Sequence, residues 1–178
     1  MRVFFAIEFN NEEKDFIHSI QQDVKRLCSG GNFTHKENFH LTLRFLGEQT
    51  SSQVKELKNI LRLAAHETMG FELRLNKLGA FNKGNKKIIW AGIEKSAELQ
   101  HLYVSLESLL EAAGYPREER EYSPHITLVR EARIQENFLH DSMRFEKLSI
   151  KVNSISLMES TRIDNKLTYL AVDRTELL

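Results

Sequence analysis

The pattern His-x-Thr-Leu occurs twice in the chain, at residues 40–43 and again at 125–128. On a β-strand, residues two positions apart project from the same face, so each histidine would share a face with its threonine. Imidazole can give or take a proton near neutral pH, and a hydroxyl can donate a hydrogen bond to an anionic oxygen. If the two copies meet, His40, Thr42, His125 and Thr127 would line one anion-binding site.

Two histidines on opposite sides of a phosphorus atom can hydrolyse a phosphoester without a metal ion. One takes a proton from the attacking water and the other gives a proton to the leaving oxygen, and such acid–base steps typically contribute about 10²–10⁴-fold each. The threonines would bind the equatorial oxygens, over which charge spreads in the transition state. A cyclic phosphodiester suits this site because its leaving oxygen stays attached to the product. No metal site is predicted, since a catalytic zinc usually takes three protein ligands.

Hydrophobic periodicity predicts the elements that position these motifs. Strands are predicted at 3–9, 39–46, 71–78, 88–93, 124–129, 145–152, 155–158 and 167–172. Helices are predicted at 16–27, 54–64 and 99–110, with a further short helix at 135–142. Asn10 or Asn11 is expected to cap the first helix and Gly30-Gly31 to end it. A loop through Asn32 is expected to lead to the first motif.

The order of strand, helix, motif strand, helix and strand occurs twice along the chain. Glu8 lies 32 residues before His40, and Glu94 lies 31 residues before His125. We infer an internal duplication, which would bring the two histidines together if the halves pack about a two-fold axis. The prediction is one domain, 1–178, made of two pseudo-symmetric lobes, with approximate repeats at 2–78 and 87–152 and final strands within 155–172.

The composition is that of a globular protein with a substantial core. The chain has 178 residues, 41% of them hydrophobic, and length alone favours one domain. Cys28 is the only cysteine, so an intrachain disulfide is excluded, and no apolar run approaches the roughly 20 residues that span a bilayer. These features predict a cytoplasmic protein. Lysine plus arginine and aspartate plus glutamate each number 25, which argues against broad binding to duplex nucleic acid but allows a pocket for one phosphate.

The two motif segments resemble the twin signatures of the two-histidine (2H) phosphoesterases. The segments are FHLTLRFLG at 39–47 and SPHITLVR at 123–130. The similarity is closest to the bacterial and archaeal RNA 2′,3′-cyclic phosphodiesterases, also called 2′-5′ RNA ligases. It covers essentially the whole chain, including RVFFAI at 2–7 and IIWAGI at 88–93.

The resemblance implies an α+β, bilobal, pseudo-two-fold fold in which two antiparallel-rich sheets flank a central cleft with helices outside. It implies hydrolysis of a terminal 2′,3′-cyclic phosphate to a 2′-phosphomonoester, with no metal and no nucleotide cofactor. By position, His40 matches the family's proton donor, His125 its proton acceptor, and Thr42 and Thr127 its phosphate-binding threonines. The expected partners are RNA ends that carry the cyclic phosphate, tRNA-derived ends among them. No membrane partner is expected, and the protein is expected to be a monomer.

Two arginines are further, weaker candidates for binding the phosphate. Arg44 continues the face of His40 and Thr42 at period 2, so it either binds the phosphate or is an exposed arginine at a strand end. Arg130 lies off the corresponding face unless the strand bends after Val129, but the family pattern has an arginine at this position.

Aromatic residues and one basic loop are candidates for contacts with RNA. Phe5 and Phe9 are predicted to pack in the core, whereas Tyr122 is left open between packing and stacking on a base. The basic loop at 83–87 either touches a phosphate backbone or is a solvated hairpin tip. Two further functions stay open at this point: hydrolysis of small cyclic phosphates or 2′,5′-linked oligonucleotides, and non-catalytic binding of an RNA terminus.

Overall fold

The structure is a computed structural model that describes residues 1–134, 145 and 147–178. Within these residues the chain forms three α-helices, one short 3-10 turn and nine β-strands. The helices are α1 (Asn11–Leu27), α2 (Ser51–His66) and α3 (Ala97–Ala112), and the 3-10 turn is Lys36–Asn38. The strands are β1 (Arg2–Glu8), β2 (Cys28–Phe33), β3 (His40–Glu48), β4 (Phe71–Lys83), β5 (Lys86–Ile93), β6 (His125–Ile134), β7 (Leu148–Val152), β8 (Ser154–Ile163) and β9 (Lys166–Glu176). The helix predicted at 135–142 lies outside the described residues.

The strands form two antiparallel sheets. One sheet has four strands in the order β3-β1-β8-β9, and the other has five strands in the order β2-β6-β5-β4-β7. Helix α2 packs on α3 and on β8 and β9, while α1 packs on β2, β6 and β7. The predicted α+β fold with two antiparallel sheets is confirmed. None of the described helices is long and apolar enough to cross a bilayer.

Each sheet combines strands from early and late parts of the chain. β4, from the first half, pairs with β5 and β7, whereas β8, near the end, pairs with β1. The predicted repeats at 2–78 and 87–152 therefore do not correspond to one sheet each, and the division into two lobes stays a prediction. Each motif strand nevertheless pairs with the strand that opens its own repeat: β3 with β1, and β6 with β5.

Local hydrogen bonds fix where the first helix begins. The Asn10 side chain accepts a hydrogen bond from the backbone N–H of Glu13 at 2.8 Å, and the Glu13 carboxylate accepts one from the backbone N–H of Asn10 at 2.8 Å. This reciprocal pair satisfies two donors that a helix start otherwise leaves unpaired. Of the two predicted caps, Asn10 is the one that is formed.

One continuous core joins the two sheets and the three described helices. It includes β1, β3, β5 and β6 side chains together with the apolar stripes of the helices, among them Phe5, Ile17, Leu57, Leu102 and Ile126. Phe5 and Phe9 both lie in this core, as predicted. A second, small cluster of Phe4, Ala6 and Met158 lies on the other face of β1, with Tyr169 packed against it.

The predicted loop through Asn32 is instead the strand β2. It pairs antiparallel with β6, with Asn32 opposite Arg130 and Phe33 opposite Val129. The segment is rich in glycine, which is depleted in strands, so its sequence carries no strand signal. Glycine is needed here because a Cβ at Gly31 would lie 2.6 Å from a methyl group of Val129. Pairing across the sheet, which is a tertiary effect, makes this segment a strand.

Candidate active site

The two motif strands lie side by side, one from each sheet. β3 and β6 contact each other, and each begins with its motif histidine. In both strands the residue between the histidine and the threonine, Leu41 or Ile126, is fully buried in the core. The histidines and threonines therefore project from the opposite faces of their strands. We call the space between these two faces the cleft.

His40 is held in one orientation at both ring nitrogens. Its Nδ1 lies 2.7 Å from the backbone oxygen of Asn38, and its Nε2 lies 2.9 Å from the Oγ1 of Thr42. Because a carbonyl can only accept, Nδ1 carries the proton, and in the neutral ring Nε2 accepts from the Thr42 hydroxyl. The ring packs on Phe4 and edge-on against Tyr169, with centroids 4.9 and 5.0 Å away.

His125 is held by a hydrogen bond at Nδ1. Its Nδ1 lies 2.6 Å from the backbone oxygen of Ser123, again two residues upstream. Phe81 meets the ring edge-on at 5.0 Å, and Trp90 lies 6.1 Å away. In both histidines, a carbonyl fixes Nδ1 as the donor and leaves Nε2 as the nitrogen that can exchange a proton with a ligand.

Burial lowers the pKa of both histidines, because a charged imidazolium loses its hydration. The pKa of His40 falls from 6.5 to about 4, chiefly because of burial, and the charge of Arg130 and the nearby His125 act in the same direction. The pKa of His125 is also lowered by burial and then by Arg130. One arginine thus acts on both rings, so the three groups are electrostatically close. A pKa of about 4 leaves His40 uncharged at neutral pH in the free protein.

Matching bulges in β3 and β6 decide where the two arginines point. Leu43 has no partner between the pairs Ala6–Thr42 and Phe5–Arg44, and Leu128 has none between Trp90–Thr127 and Ile89–Val129. An extra residue in one strand of an antiparallel pair reverses which face the following side chains occupy. The residue directly after each bulge therefore points to the core, and the next one points to the cleft side.

The bulge removes Arg44 from the face of His40, contrary to the prediction from strict alternation. Arg44 is only 9% exposed, and its Nε lies 3.2 Å from the carboxylate of Glu107, which is 7% exposed. Its guanidinium also donates to Glu118 at 3.0 Å and to the backbone oxygen of Pro116 at 2.6 Å. Arg44 thus joins β3 to α3 and to the loop that follows α3, and its charge is already matched by carboxylates.

The bulge in β6 also changes the side of the strand on which Arg130 lies. This bulge lies directly before Val129, whereas the predicted condition was a bend directly after it, and Arg130 is exposed. Among the described residues its guanidinium makes no ion pair, and its charge acts on both histidines. Of the two arginines, Arg130 is the one available to an anion in the cleft.

Comparison with known proteins identifies the family. Residues 11–164 match the model of the 2′-5′ RNA ligase superfamily. The chain belongs to this superfamily. The predicted resemblance to the two-histidine phosphoesterases is thereby confirmed.

Named relatives of the superfamily cover most of the chain. An RNA 2′,3′-cyclic phosphodiesterase of Thermotoga maritima is 29% identical over 90% of this chain and 87% of its own length. One from Aeropyrum pernix is 33% identical over 70% of this chain and 73% of its own length. The crystal structure of Escherichia coli LigT complexed with 3′-AMP superposes with a TM-score of 0.83 at 25% identity, covering 99% of this chain and 97% of LigT.

Within this superfamily fold, the aromatic neighbours of the histidines were missed by the sequence analysis. Tyr169 reaches His40 because its backbone N–H donates to the Asn38 side chain, whose amide in turn donates to the backbone oxygen of Leu167. Phe81 and Trp90 reach His125 from two strands that pair with each other. None of these contacts is local in sequence. Tyr122, left open above, stacks on Tyr103 at 4.0 Å and donates to the backbone oxygen of Thr42 at 3.1 Å.

The described residues offer no alternative cluster of ionisable ligands for a metal. Residues 1–134, 145 and 147–178 contain no group of three or more His, Cys, Asp or Glu side chains close enough to hold an ion. The arrangement in the cleft, two imidazoles with two hydroxyls and one arginine, is suited to proton transfer around an anion.

Proposed function

We propose that the protein hydrolyses 2′,3′-cyclic phosphates at RNA ends to 2′-phosphomonoesters. His40 serves as proton donor, His125 as proton acceptor, and Thr42 and Thr127 bind the phosphate oxygens with help from Arg130. The observation that carries the proposal is the pair of histidines whose Nδ1 atoms are both held by carbonyls two residues upstream. Proton exchange with the substrate is thereby assigned to Nε2, which in His40 accepts from the Thr42 hydroxyl in the free protein. The named activity of relatives that are about 30% identical supports the choice of substrate.

The proposed reaction balances with one water molecule. The Nε2 of His125 takes a proton from water as its oxygen attacks the phosphorus. The bond between phosphorus and O3′ breaks, and His40 gives a proton to O3′. The products are a free 3′-hydroxyl and a 2′-phosphomonoester. Thr42 and Thr127 donate to the non-bridging oxygens, and Arg130 stabilises the negative charge on them.

The donor role of His40 requires that it gains a proton when substrate binds. Its pKa of about 4 in the free protein leaves it neutral at pH 7. A cyclic phosphodiester carries a negative charge, and an opposite charge within about 4–6 Å favours the protonated imidazole. Binding of the anion thus supplies the interaction that raises the pKa of His40. Arg130 opposes protonation in the free protein, and the bound phosphate screens that repulsion.

Metal independence, a monomeric state and a cytoplasmic location are further parts of the proposal. Two imidazoles perform both proton transfers, so the chemistry needs no Lewis acid. We propose that the protein acts as a monomer in the cytoplasm on single RNA ends, tRNA-derived ends among them.

The deciding experiment incubates the protein with an oligoribonucleotide that ends in a 2′,3′-cyclic phosphate, in the presence of EDTA. We expect a 2′-phosphomonoester, identified by its resistance to enzymes specific for 3′-phosphates. His40→Ala and His125→Ala should each lose at least about 10²-fold in kcat, the lower end of a general acid–base contribution. His101→Ala, an exposed histidine on α3, is the matched control.

Three results would contradict parts of the proposal. Wild-type rates in either cleft variant would exclude that histidine from the chemistry. A 3′-phosphomonoester product would show that the other P–O bond breaks. Activity that is lost in EDTA and restored by a divalent cation would indicate a metal-dependent mechanism.

A further inference from the structure

The hairpin formed by β4 and β5 presents a mixed aromatic and basic surface beside His125. Along β4, Gly79, Phe81 and Lys83 alternate onto one face, and the cross-strand partners of Phe81 and Lys83 are Ile88 and Lys86. The Phe81 ring lies 5.0 Å from that of His125, so this is the face that borders the cleft. The opposite face carries Ala80, Asn82 and Lys87.

Phe81 packs against Trp90 and His125 and remains partly exposed. Its ring lies 5.2 Å from the Trp90 indole, and 37% of Phe81 is exposed. The indole in turn fills space left by two glycines: a Cβ at Gly79 would lie 2.1 Å from the Trp90 ring, and one at Gly92 would lie 2.9 Å from it. The two glycines thus let the indole lie close to the backbone, where it forms a base on which Phe81 rests. An exposed ring on a rigid support suits the stacking of a nucleobase.

Positive charge lies at the end of the same face. Lys83 is exposed and forms no ion pair with any described residue, whereas the neighbouring Lys86 is paired with Glu131 at 3.3 Å. A cation beyond an exposed aromatic ring is the usual arrangement for single-stranded nucleic acid, because the ring takes a base and the cation takes a phosphate. The chain as a whole has no net charge, so this is a local feature and not a general basic surface.

We propose that this hairpin face binds the RNA chain: Phe81 stacks on the base of the 3′-terminal nucleotide, and Lys83 contacts a phosphate upstream of it. This inference rests on the proposed function, which places the cyclic phosphate between the histidines. A ring in contact with His125 is within reach of the base on the same ribose. The substrate class is then a single-stranded RNA end, and a small cyclic phosphate without a base would lack these contacts.

The Phe81 contact is tested with three cyclic phosphates: a hexaribonucleotide with a 2′,3′-cyclic end, a nucleoside 2′,3′-cyclic phosphate, and methyl riboside 2′,3′-cyclic phosphate, which has no base. Phe81→Ala should lower kcat/KM about 10-fold for the first two, within the range measured for a lost base–aromatic stack. The loss for the baseless substrate should be much smaller. Phe81→Leu should behave like Phe81→Ala, and Phe81→Tyr should keep the wild-type preference. Equal losses on all three substrates would overturn the stacking role.

The Lys83 contact is tested against a lysine on the other face of the same hairpin. Lys83→Ala should lower kcat/KM for the hexanucleotide more than for the mononucleotide, and should weaken the salt dependence for the hexanucleotide by about 0.7 in a log–log plot. Lys87→Ala, with the same change in charge, should leave the ratio of the two substrates as in the wild type. Identical effects of the two substitutions would reduce the role of Lys83 to general electrostatics and contradict the proposed contact.

A binding measurement separates this inference from the proposed function. Trp90 is the only tryptophan in the chain, so its fluorescence reports binding of a hexanucleotide ending in a 2′-phosphate without any turnover. If the wild type hydrolyses none of the substrates, the proposed function fails, yet weaker binding by Phe81→Ala than by wild type would still support the hairpin site. If hydrolysis occurs and Phe81→Ala retains wild-type affinity and base preference, only the hairpin inference fails.

Discussion

Replacing His40 with asparagine should make the stability of the protein less sensitive to acid. The ring of His40 is partly buried against Phe4 and Tyr169, and its pKa falls from 6.5 to about 4 on folding. The unfolded chain therefore binds a proton at pH values where the folded protein does not. The stability associated with the neutral ring is complete above pH 6.5 and is lost progressively as the pH falls to about 4.

The size of the effect follows from the pKa difference. A shift from 6.5 to about 4 corresponds to about 3 kcal/mol in total, since one pKa unit is worth about 1.4 kcal/mol. By the linkage relation, about 2 kcal/mol of this stability is lost as the pH falls from 7 to 5. His40→Asn lacks the titrating group, so its free energy of unfolding should fall by about 2 kcal/mol less than that of the wild type over the same interval.

Urea denaturation at pH 7, 6 and 5, followed by circular dichroism, measures this difference. Carboxylates titrate in the same range, but they are present in both proteins and cancel in the comparison. His101→Asn, on the exposed face of α3, serves as the control and should follow the wild-type curve. Parallel curves for wild type and His40→Asn would refute the reasoning, and so would an NMR titration of the His40 ring with a midpoint near 6.5.

Three further substitutions test the packing around the cleft. Arg44→Met should destabilise the protein by about 3–5 kcal/mol in urea denaturation because it leaves Glu107 buried without its partner, whereas Arg44→Met with Glu107→Leu should recover most of the loss. Equal instability of the single and double variants would contradict a buried ion pair. Tyr122→Phe removes one hydrogen bond to the backbone of β3 and should cost about 1 kcal/mol, and an unchanged urea midpoint would show that this bond contributes nothing. Gly79→Ala should lower the melting temperature and shift the tryptophan emission, because the new methyl group overlaps the indole; an unshifted spectrum would contradict that packing.

The bulges in β3 and β6 show how one backbone irregularity assigns different roles to similar residues. Strict alternation predicted that Arg44 shares the strand face of His40 and that Arg130 does not share the strand face of His125. The extra residues Leu43 and Leu128 reverse both assignments. Arg44 pairs with carboxylates of α3 and its following loop, and Arg130 remains exposed on the cleft side. A bulge is a property of two paired strands, so no pattern within either strand alone reveals it.

The sequence by itself determined the three described helices, most of the strands and the core, and it predicted four principal site residues. These follow from periodicity and from two repeated motifs, which are local signals. Only the tertiary structure decided that the glycine-rich segment of β2 is a strand, which arginine borders the cleft, and which aromatic rings surround each histidine. It also decided that His40 is neutral at pH 7, because desolvation depends on packing by Phe4 and Tyr169, from strands distant in the chain. The residue types determine which chemistry is possible. Packing by residues distant in the chain determines the protonation state of His40 in the free protein.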